Sequence, residues 1–157
     1  MRELATTLGL LLKHHRLMLA TAESCTGGWL AAALTSISGS SRWFERGFIT
    51  YSNEAKREML GVSEQTLRQF GAVSEPTVRE MAEGALAMSH AQVSVAITGI
   101  AGPKGGTDAK PIGTVWIAWA RAGRGTQSRL QHLSGGRQEI RRQAVRAALR
   151  VLIEVLQ

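Results

Sequence analysis

Residues 93–120, VSVAITGIAGPKGGTDAKPIGTVWIAWA, place two apolar runs on either side of the most glycine- and proline-rich part of the chain. VSVAITGI (93–100) is short, apolar and rich in β-branched residues, and reads as a buried strand. GPKGGTDAKPIG (102–113) reads as a long loop, and GTVWIAWA (113–120) as a second buried strand. TQSRLQHL (126–133) alternates polar and apolar residues, so a third strand with one exposed face follows. Upstream the pattern differs. Leu4, Leu8, Leu11 and Leu12 fall at helical spacing over residues 2–15, and LMLATAE (17–23) reads as a buried strand. Thr26 is a candidate cap for a helix through GGWLAAALTSI (27–37), and RWFERGFITYS (42–52) reads as a strand. Asn53 is a candidate cap for a short helix to Leu60, which Gly61 ends, and Ser63 for another. After a brief extended piece at 71–73, Ser74-Glu75-Pro76 opens a long helix, with proline tolerated in its first turn. Residues 137–156 form the last helix, with Ile140, Ala144, Ala147, Ala148, Val151, Leu152 and Val155 on its apolar side. Strands and helices alternate at first, then consecutive strands pair, then a helix closes. That order predicts a three-layer α/β/α sandwich around a mixed sheet.

The 157 residues fit one domain, 1–157, and a chain this long buries roughly 68–70% of its unfolded surface without staples. Cys25 is the only cysteine, which excludes an intramolecular disulfide framework. The apolar N-terminal stretch is interrupted by Lys13, His14, His15 and Arg16, and no run reaches the about 18 apolar residues of a membrane span. A cytoplasmic protein with no membrane partner is the expectation. Nineteen Lys and Arg against 12 Asp and Glu give +7, which favours anionic partners. Much of the excess lies in Arg121, Arg124, Arg129, Arg137, Arg141, Arg142, Arg146 and Arg150. A solvated helix face accounts for such a group. No nucleic-acid-binding signature accompanies it, and the basic residues are not interleaved with aromatics, so nucleic acid is not the expected partner.

Three segments hold the residues suited to chemistry. In Thr21-Ala22-Glu23-Ser24-Cys25-Thr26-Gly27-Gly28 a strand ends and a helix begins at small residues. Unpaired N–H groups at a helix start carry partial positive charge and suit a phosphate or an oxyanion. The alternative is an ordinary strand–helix turn that contains a serine. In Tyr51-Ser52-Asn53-Glu54-Ala55-Lys56 a lysine lies in the first helical turn, at the positive end of the dipole. An unperturbed lysine is neutral only about once in 2,500 molecules at pH 7, and a general base needs a pKa of roughly 7–8. The dipole alone is too weak for that shift, so burial or nearby cations must supply it; otherwise Lys56 is a surface lysine. The third segment, Thr98 to Thr107, leaves the C-terminal end of a buried strand, where open α/β sheets place ligands. It matches neither G-x-x-x-x-G-K-[ST] nor G-x-G-x-x-G. His14, His15, His90 and His132 lack metal-ligand spacing, and no metal is expected. Cys25 is either a second nucleophile or small core packing. Trp29, Trp43, Trp116 and Trp119 read as core.

TAESCTGG, FERGFITYSNEAKREMLGV, GAVSEPTVREMAEGAL and AITGIAGPKGGTDAKPIGTVWIA occur in this order. Together they resemble the CinA C-terminal domain family, the nicotinamide-nucleotide amidohydrolases. The resemblance runs from about Leu4 to the last helix and implies the stand-alone form of the family. It implies hydrolysis of the carboxamide of nicotinamide mononucleotide to nicotinate mononucleotide and ammonia, in pyridine nucleotide salvage, without cofactor or metal. By position it makes Ser24 the nucleophile and Tyr51 and Lys56 the partners that activate it. It places Thr98, with Gly99 and Gly102, at the substrate-contacting strand end, and makes Arg137 or Arg141 a ligand contact. Thr26, Gly27 and Gly28 join the substrate side through their N–H groups, those around Cys25 to Gly28 being candidates for an oxyanion hole. Two other readings stand beside this one: a non-catalytic nucleotide-binding or regulatory module, and a competence- or DNA-damage-associated protein. A homodimer is the expected assembly.

Overall fold

The computed structural model describes all 157 residues. Its elements are α1 (Arg2–His15), β1 (Leu19–Glu23), α2 (Trp29–Thr35), a 3-10 turn at Ser40–Arg42, β2 (Phe44–Ile49), α3 (Asn53–Leu60), α4 (Glu64–Phe70), α5 (Glu75–Ala87), β3 (Val93–Gly99), β4 (Thr114–Arg121), β5 (Gly125–His132) and α6 (Arg137–Leu156). The strands form one sheet in the order β2-β1-β3-β4-β5. β1 pairs parallel with β2 and β3, whereas β3–β4 and β4–β5 are antiparallel. The expected mixed sheet of an α/β/α sandwich is therefore present.

Strand composition decides which helices cover which face. Side chains alternate across a strand. Leu19, Val93, Val95, Ile97, Val115, Ile117 and Trp119 point to one side, into a core shared with α1, α2 and α6. Ala22, Ala96, Ala118 and Ala120 point to the other side and meet Val78, Met81, Ala82 and Ala85 of α5. Bulky residues on one face and alanines on the other let α5 lie close to the sheet. α3 in turn packs against α5 at Gly84, where an added Cβ would stand 2.0 Å from the Leu60 carbonyl oxygen. A glycine inside a helix normally weakens it by roughly 1 kcal/mol relative to alanine; here the close approach of the α3 backbone requires it.

β1 lies between β2 and β3, so the chain turns one way through α2 and back the other way through α3, α4 and α5. Strand order reverses at β1, and the crevice beyond the C-terminal ends of the parallel strands lies at this reversal. Glu23, Ile49 and Gly99 end β1, β2 and β3 at this edge, and residues 100–113 return across it to β4. Most element bounds agree with the sequence reading, and α1 and α6 agree to the residue.

The differences are local. α2 begins at Trp29 after Gly28, whose φ of 100° is a left-handed conformation, and Thr26 does not cap it. The Glu23 carboxylate reaches forward instead and accepts from the N–H groups of Leu30 (2.8 Å) and Ala31 (3.0 Å). Ser52, not Asn53, caps α3, its Oγ accepting from Ala55 N–H at 3.0 Å. No extended piece forms at 71–73; residues 72–74 are bends. Val155 of α6 is exposed, because the buried stripe of the last turns runs through Leu152 and Leu156 instead. Trp29 and Trp116 are half-buried, whereas Trp43 and Trp119 are core.

Gly84→Ala tests the α3–α5 crossing. Overpacking at such a contact costs about 1–3 kcal/mol, so the melting temperature should fall by roughly 2–12 °C in a thermal scan. An unchanged midpoint would mean that the two backbones separate freely.

Candidate active site

Three chain turns converge at the C-terminal edge of the parallel strands. Ser24 is the first residue after β1, and its N–H donates to Ile97 O of β3 at 3.0 Å. Thr50 and Tyr51 follow β2, and Thr50 N–H donates to Glu23 O at 2.8 Å. The backbone of the serine loop is thus tied into the sheet on one side, and that of the β2–α3 turn on the other. Lys56, one turn into α3, reaches back beneath this turn.

Lys56 is only 1% exposed. Its Nζ lies 3.1 Å from Ser24 Oγ, 2.8 Å from Thr50 O and 3.5 Å from Tyr51 O. A neutral amine has two N–H donors and one lone pair. The two carbonyls take the donors, which leaves the lone pair for the Ser24 O–H. No carboxylate contacts the amine, since Glu23 is turned toward α2. Burial lowers the Lys56 pKa from its ordinary value near 10.5 to about 8, slightly offset by Cys25. At about 8, roughly one molecule in ten carries neutral Lys56 at pH 7. The burial that the dipole argument required is therefore present.

Cys25 also borders the site. Burial pushes its thiol up to about 11, so it stays protonated at neutral pH and belongs to the larger core cluster rather than acting as a thiolate. Ser24, 8% exposed, is the side chain whose hydroxyl the Lys56 amine reaches.

A pocket of about 200 Å³ opens over this pair, lined by Ser24, Cys25, Tyr51, Lys56, Ala72, Val73, Thr98, Gly99, Ala101 and Arg137. Of the residues expected at the site, Ser24, Tyr51, Lys56, Thr98, Gly99 and Arg137 come together here. Thr98 Oγ1 donates to Ala72 O at 2.9 Å, which fixes the 71–73 turn as the far wall. Arg137, exposed at the start of α6, donates to Gly102 O (2.7 Å) and to the Tyr51 hydroxyl (3.0 Å). It thereby ties the 100–113 loop to the rim. Tyr51 is 61% exposed, and its hydroxyl forms no hydrogen bond with Ser24 or Lys56. Lys56 meets the Tyr51 carbonyl instead, so a phenol relay is not assembled.

Thr26, Gly27, Gly28, Gly102 and Arg141 do not line the pocket. Thr26 is fully buried, and Gly28 faces Ile49. The Arg141 guanidinium is taken up by Cys25 O (2.9 Å) and Thr26 O (3.2 Å), and lies over the Trp29 ring. Ala72, Val73 and Ala101 were missed by residue-type reasoning, because small apolar residues carry no chemical signal; they sit inside GAVSEPTV and ITGIAGP, two of the segments that carry the family resemblance. No group of three or more His, Cys, Asp or Glu side chains is placed to hold a metal ion, and no helix is long and apolar enough to cross a membrane.

Residues 1–156 match the CinA C-terminal domain. The chain belongs to that family. It is 55% identical over 150 residues to the nicotinamide-nucleotide amidohydrolase PncC of Escherichia coli (strain K12), covering 96% of this chain and 91% of that protein. A CinA-like protein of Akkermansia muciniphila is 51% identical over 135 residues, which span 86% of this chain but 33% of that protein. Among solved structures, the competence/damage inducible protein CihA from Agrobacterium tumefaciens superposes with a TM-score of 0.97 at 48% identity, covering 99% of this chain and 95% of that one. A CinA superfamily protein from Klebsiella pneumoniae 700603 gives 0.95 at 42% identity, covering 99% and 96%. The CinA-domain fold thus spans nearly the whole chain, and the Ser24–Lys56 pocket lies within it.

A buried lysine depressed to about 8 has a consequence for stability. In the unfolded chain it holds its proton up to about 10.5, so between pH 8 and 10.5 the unfolded state binds more protons and folding becomes more favourable as pH rises. Below pH 8 the burial penalty is fully present, about 3 kcal/mol. Lys56→Met should therefore melt above the wild type at pH 7, with a gap that shrinks as pH is raised from 8 towards 10. Circular dichroism melts across that range measure it; a gap independent of pH would mean that Lys56 is not depressed.

Proposed function

We propose that this chain is an amide hydrolase that removes the carboxamide nitrogen of nicotinamide mononucleotide. It would release ammonia and leave nicotinate mononucleotide for pyridine nucleotide salvage. The observation that carries the proposal is the buried Lys56 amine 3.1 Å from Ser24 Oγ at the floor of a pocket. The substrate assignment draws on the 55% identity to a nicotinamide-nucleotide amidohydrolase.

A primary amide is a weak electrophile, so a serine needs both a base and a stabilised oxyanion to attack it. Neutral Lys56 accepts the Ser24 proton as Oγ bonds to the carboxamide carbon. The carbonyl oxygen becomes an oxyanion, and the resulting Lys56 ammonium protonates the departing nitrogen. Ammonia leaves an ester on Ser24. Lys56, neutral again, then takes a proton from water, the hydroxide attacks the ester carbon, and Ser24 regains its proton as nicotinate mononucleotide departs. The lysine is base and then acid within each half-reaction, which a pKa near the working pH suits.

The pocket rim fits the rest of the substrate. Arg137 offers a guanidinium for the phosphomonoester, in keeping with the +7 balance of the chain. The exposed Tyr51 ring offers an aromatic surface to the cationic pyridinium. Tyr51 thus acts in this scheme by contact with substrate rather than by proton relay.

Ammonia release from nicotinamide mononucleotide should be lost by on the order of 10³-fold or more in Ser24→Ala and in Lys56→Ala. In the wild type, kcat/KM should climb as pH rises through about 8, because only deprotonated Lys56 accepts the serine proton. An inactive wild type, or a fully active Ser24→Ala, overturns the proposal.

A further inference from the structure

The hydrogen bonds of the serine loop determine which of its backbone groups remain free. Gly27 N–H donates to Ser24 O, Trp29 N–H to Thr26 O, and Leu30 and Ala31 N–H to the Glu23 carboxylate. The first turn of α2 is therefore already filled by Glu23, and of the expected Cys25–Gly28 donors Gly27 is taken by Ser24 O. The N–H groups of Cys25, Thr26 and Gly28 donate to no backbone or other side-chain acceptor; Thr26 is fully buried, whereas Cys25, which directly follows Ser24 and lines the pocket, has its N–H beside only its own sulfur.

A trans peptide unit points its C=O and its N–H in opposite directions. The carbonyl of the Ser24–Cys25 unit is held by Gly27 N–H, so the Cys25 N–H must face away from that turn. The carbonyl of the Cys25–Thr26 unit is held by Arg141 Nε, and the next carbonyl, of Thr26, by Arg141 Nη2. The Thr26 N–H is thus turned away from the guanidinium. Arg141 is well suited to this, since its planar fork reaches two carbonyls at once and its plane lies over Trp29. It reaches the loop from α6, 116 residues away in sequence from Cys25.

We infer that Arg141 is a positioning residue that builds the oxyanion hole of the Ser24 site: by holding the Cys25 and Thr26 carbonyls it fixes the turn in which Gly27 N–H grips Ser24 O, and so turns the N–H of Cys25, which lines the pocket, to the developing oxyanion. This rests on the reading of Ser24 as an acylated nucleophile. It removes Arg141 from the substrate contacts, leaves that role to Arg137, and narrows the broad Cys25–Gly28 set of donors to Cys25 N–H.

Two measurements on wild type, Arg141→Ala and Arg141→Lys test it. The first is kcat and KM for ammonia release from nicotinamide mononucleotide. The second is the rate at which a fluorophosphonate labels Ser24, read as a mass increase. In that reaction the Ser24 Oγ–P bond forms, fluoride leaves, and the serine proton passes to Lys56; the phosphoryl oxygen would occupy the oxyanion hole. Losing a donor from such a hole costs about 10²–10³-fold. Arg141→Ala should lose about that in kcat with KM within about threefold, and should label at least about tenfold more slowly. The pH dependence of kcat/KM should keep its midpoint, since Lys56 is untouched. Added guanidinium chloride at millimolar levels should restore part of the rate to Arg141→Ala. Arg141→Lys, with the charge but not the fork, should fall between. Variants are compared below their melting transitions, so lost fold is scored separately.

Unchanged kcat and labelling overturn the inference, and so does a rise in KM alone, which would make Arg141 a substrate contact. If the wild type labels at Ser24 but releases no ammonia, the substrate reading fails, and the labelling rates still decide the role of Arg141.

Discussion

The site depends on keeping a lysine amine out of water. Water would hold Lys56 as an ammonium, which has no lone pair for a serine proton. The protein excludes water by laying α3 against α5 and α5 against the alanine face of the sheet, and by closing the β2–α3 turn over the amine. The two carbonyls of that turn give the neutral amine its hydrogen bonds, which lowers the cost of burying a polar group. They also leave the lone pair aimed at Ser24. A carboxylate in the same place would have held the proton and raised the pKa. The nearest acid in sequence to Ser24, Glu23, is instead fully engaged with the start of α2.

The same economy governs the serine loop. A short helix start next to Ser24 is a natural anion site, yet here the protein supplies its own carboxylate to α2. Glu23 and Arg141 act from opposite sides, one on N–H groups and the other on carbonyls. Both are charged and bonded to backbone rather than to each other, so each charge is compensated by peptide dipoles. The loop is therefore positioned by polar contacts, while the layers behind it are positioned by apolar burial. Arg137 works differently, on the rim, where it links Gly102 to Tyr51 across the pocket mouth.

Fold class was legible in the chain because burial imposes periodicity. The runs at 93–99 and 114–121 are apolar because both faces of these strands are covered, and 125–132 alternates because one face is not. Cap residues were legible where they act locally: Ser63 and Ser74 each accept from an N–H three residues on. They were misread where a distant or neighbouring group took over, as Glu23 does for Thr26 and Ser52 for Asn53. Each replacement is a side-chain oxygen competing for the same few amides, and residue type alone does not rank the competitors.

Residue identity and order determined the class of fold, the bounds of α1 and α6, and the candidacy of Ser24 and Lys56, since periodicity and family motifs are properties of the chain itself. Tertiary structure decided the rest. It showed that Lys56 is buried and within reach of Ser24, that the Tyr51 hydroxyl faces Arg137, and that Arg141 grips backbone carbonyls. These facts depend on which groups from distant parts of the chain share one dry volume. Desolvation and hydrogen-bond competition are set by that volume, and no local pattern of residues encodes it.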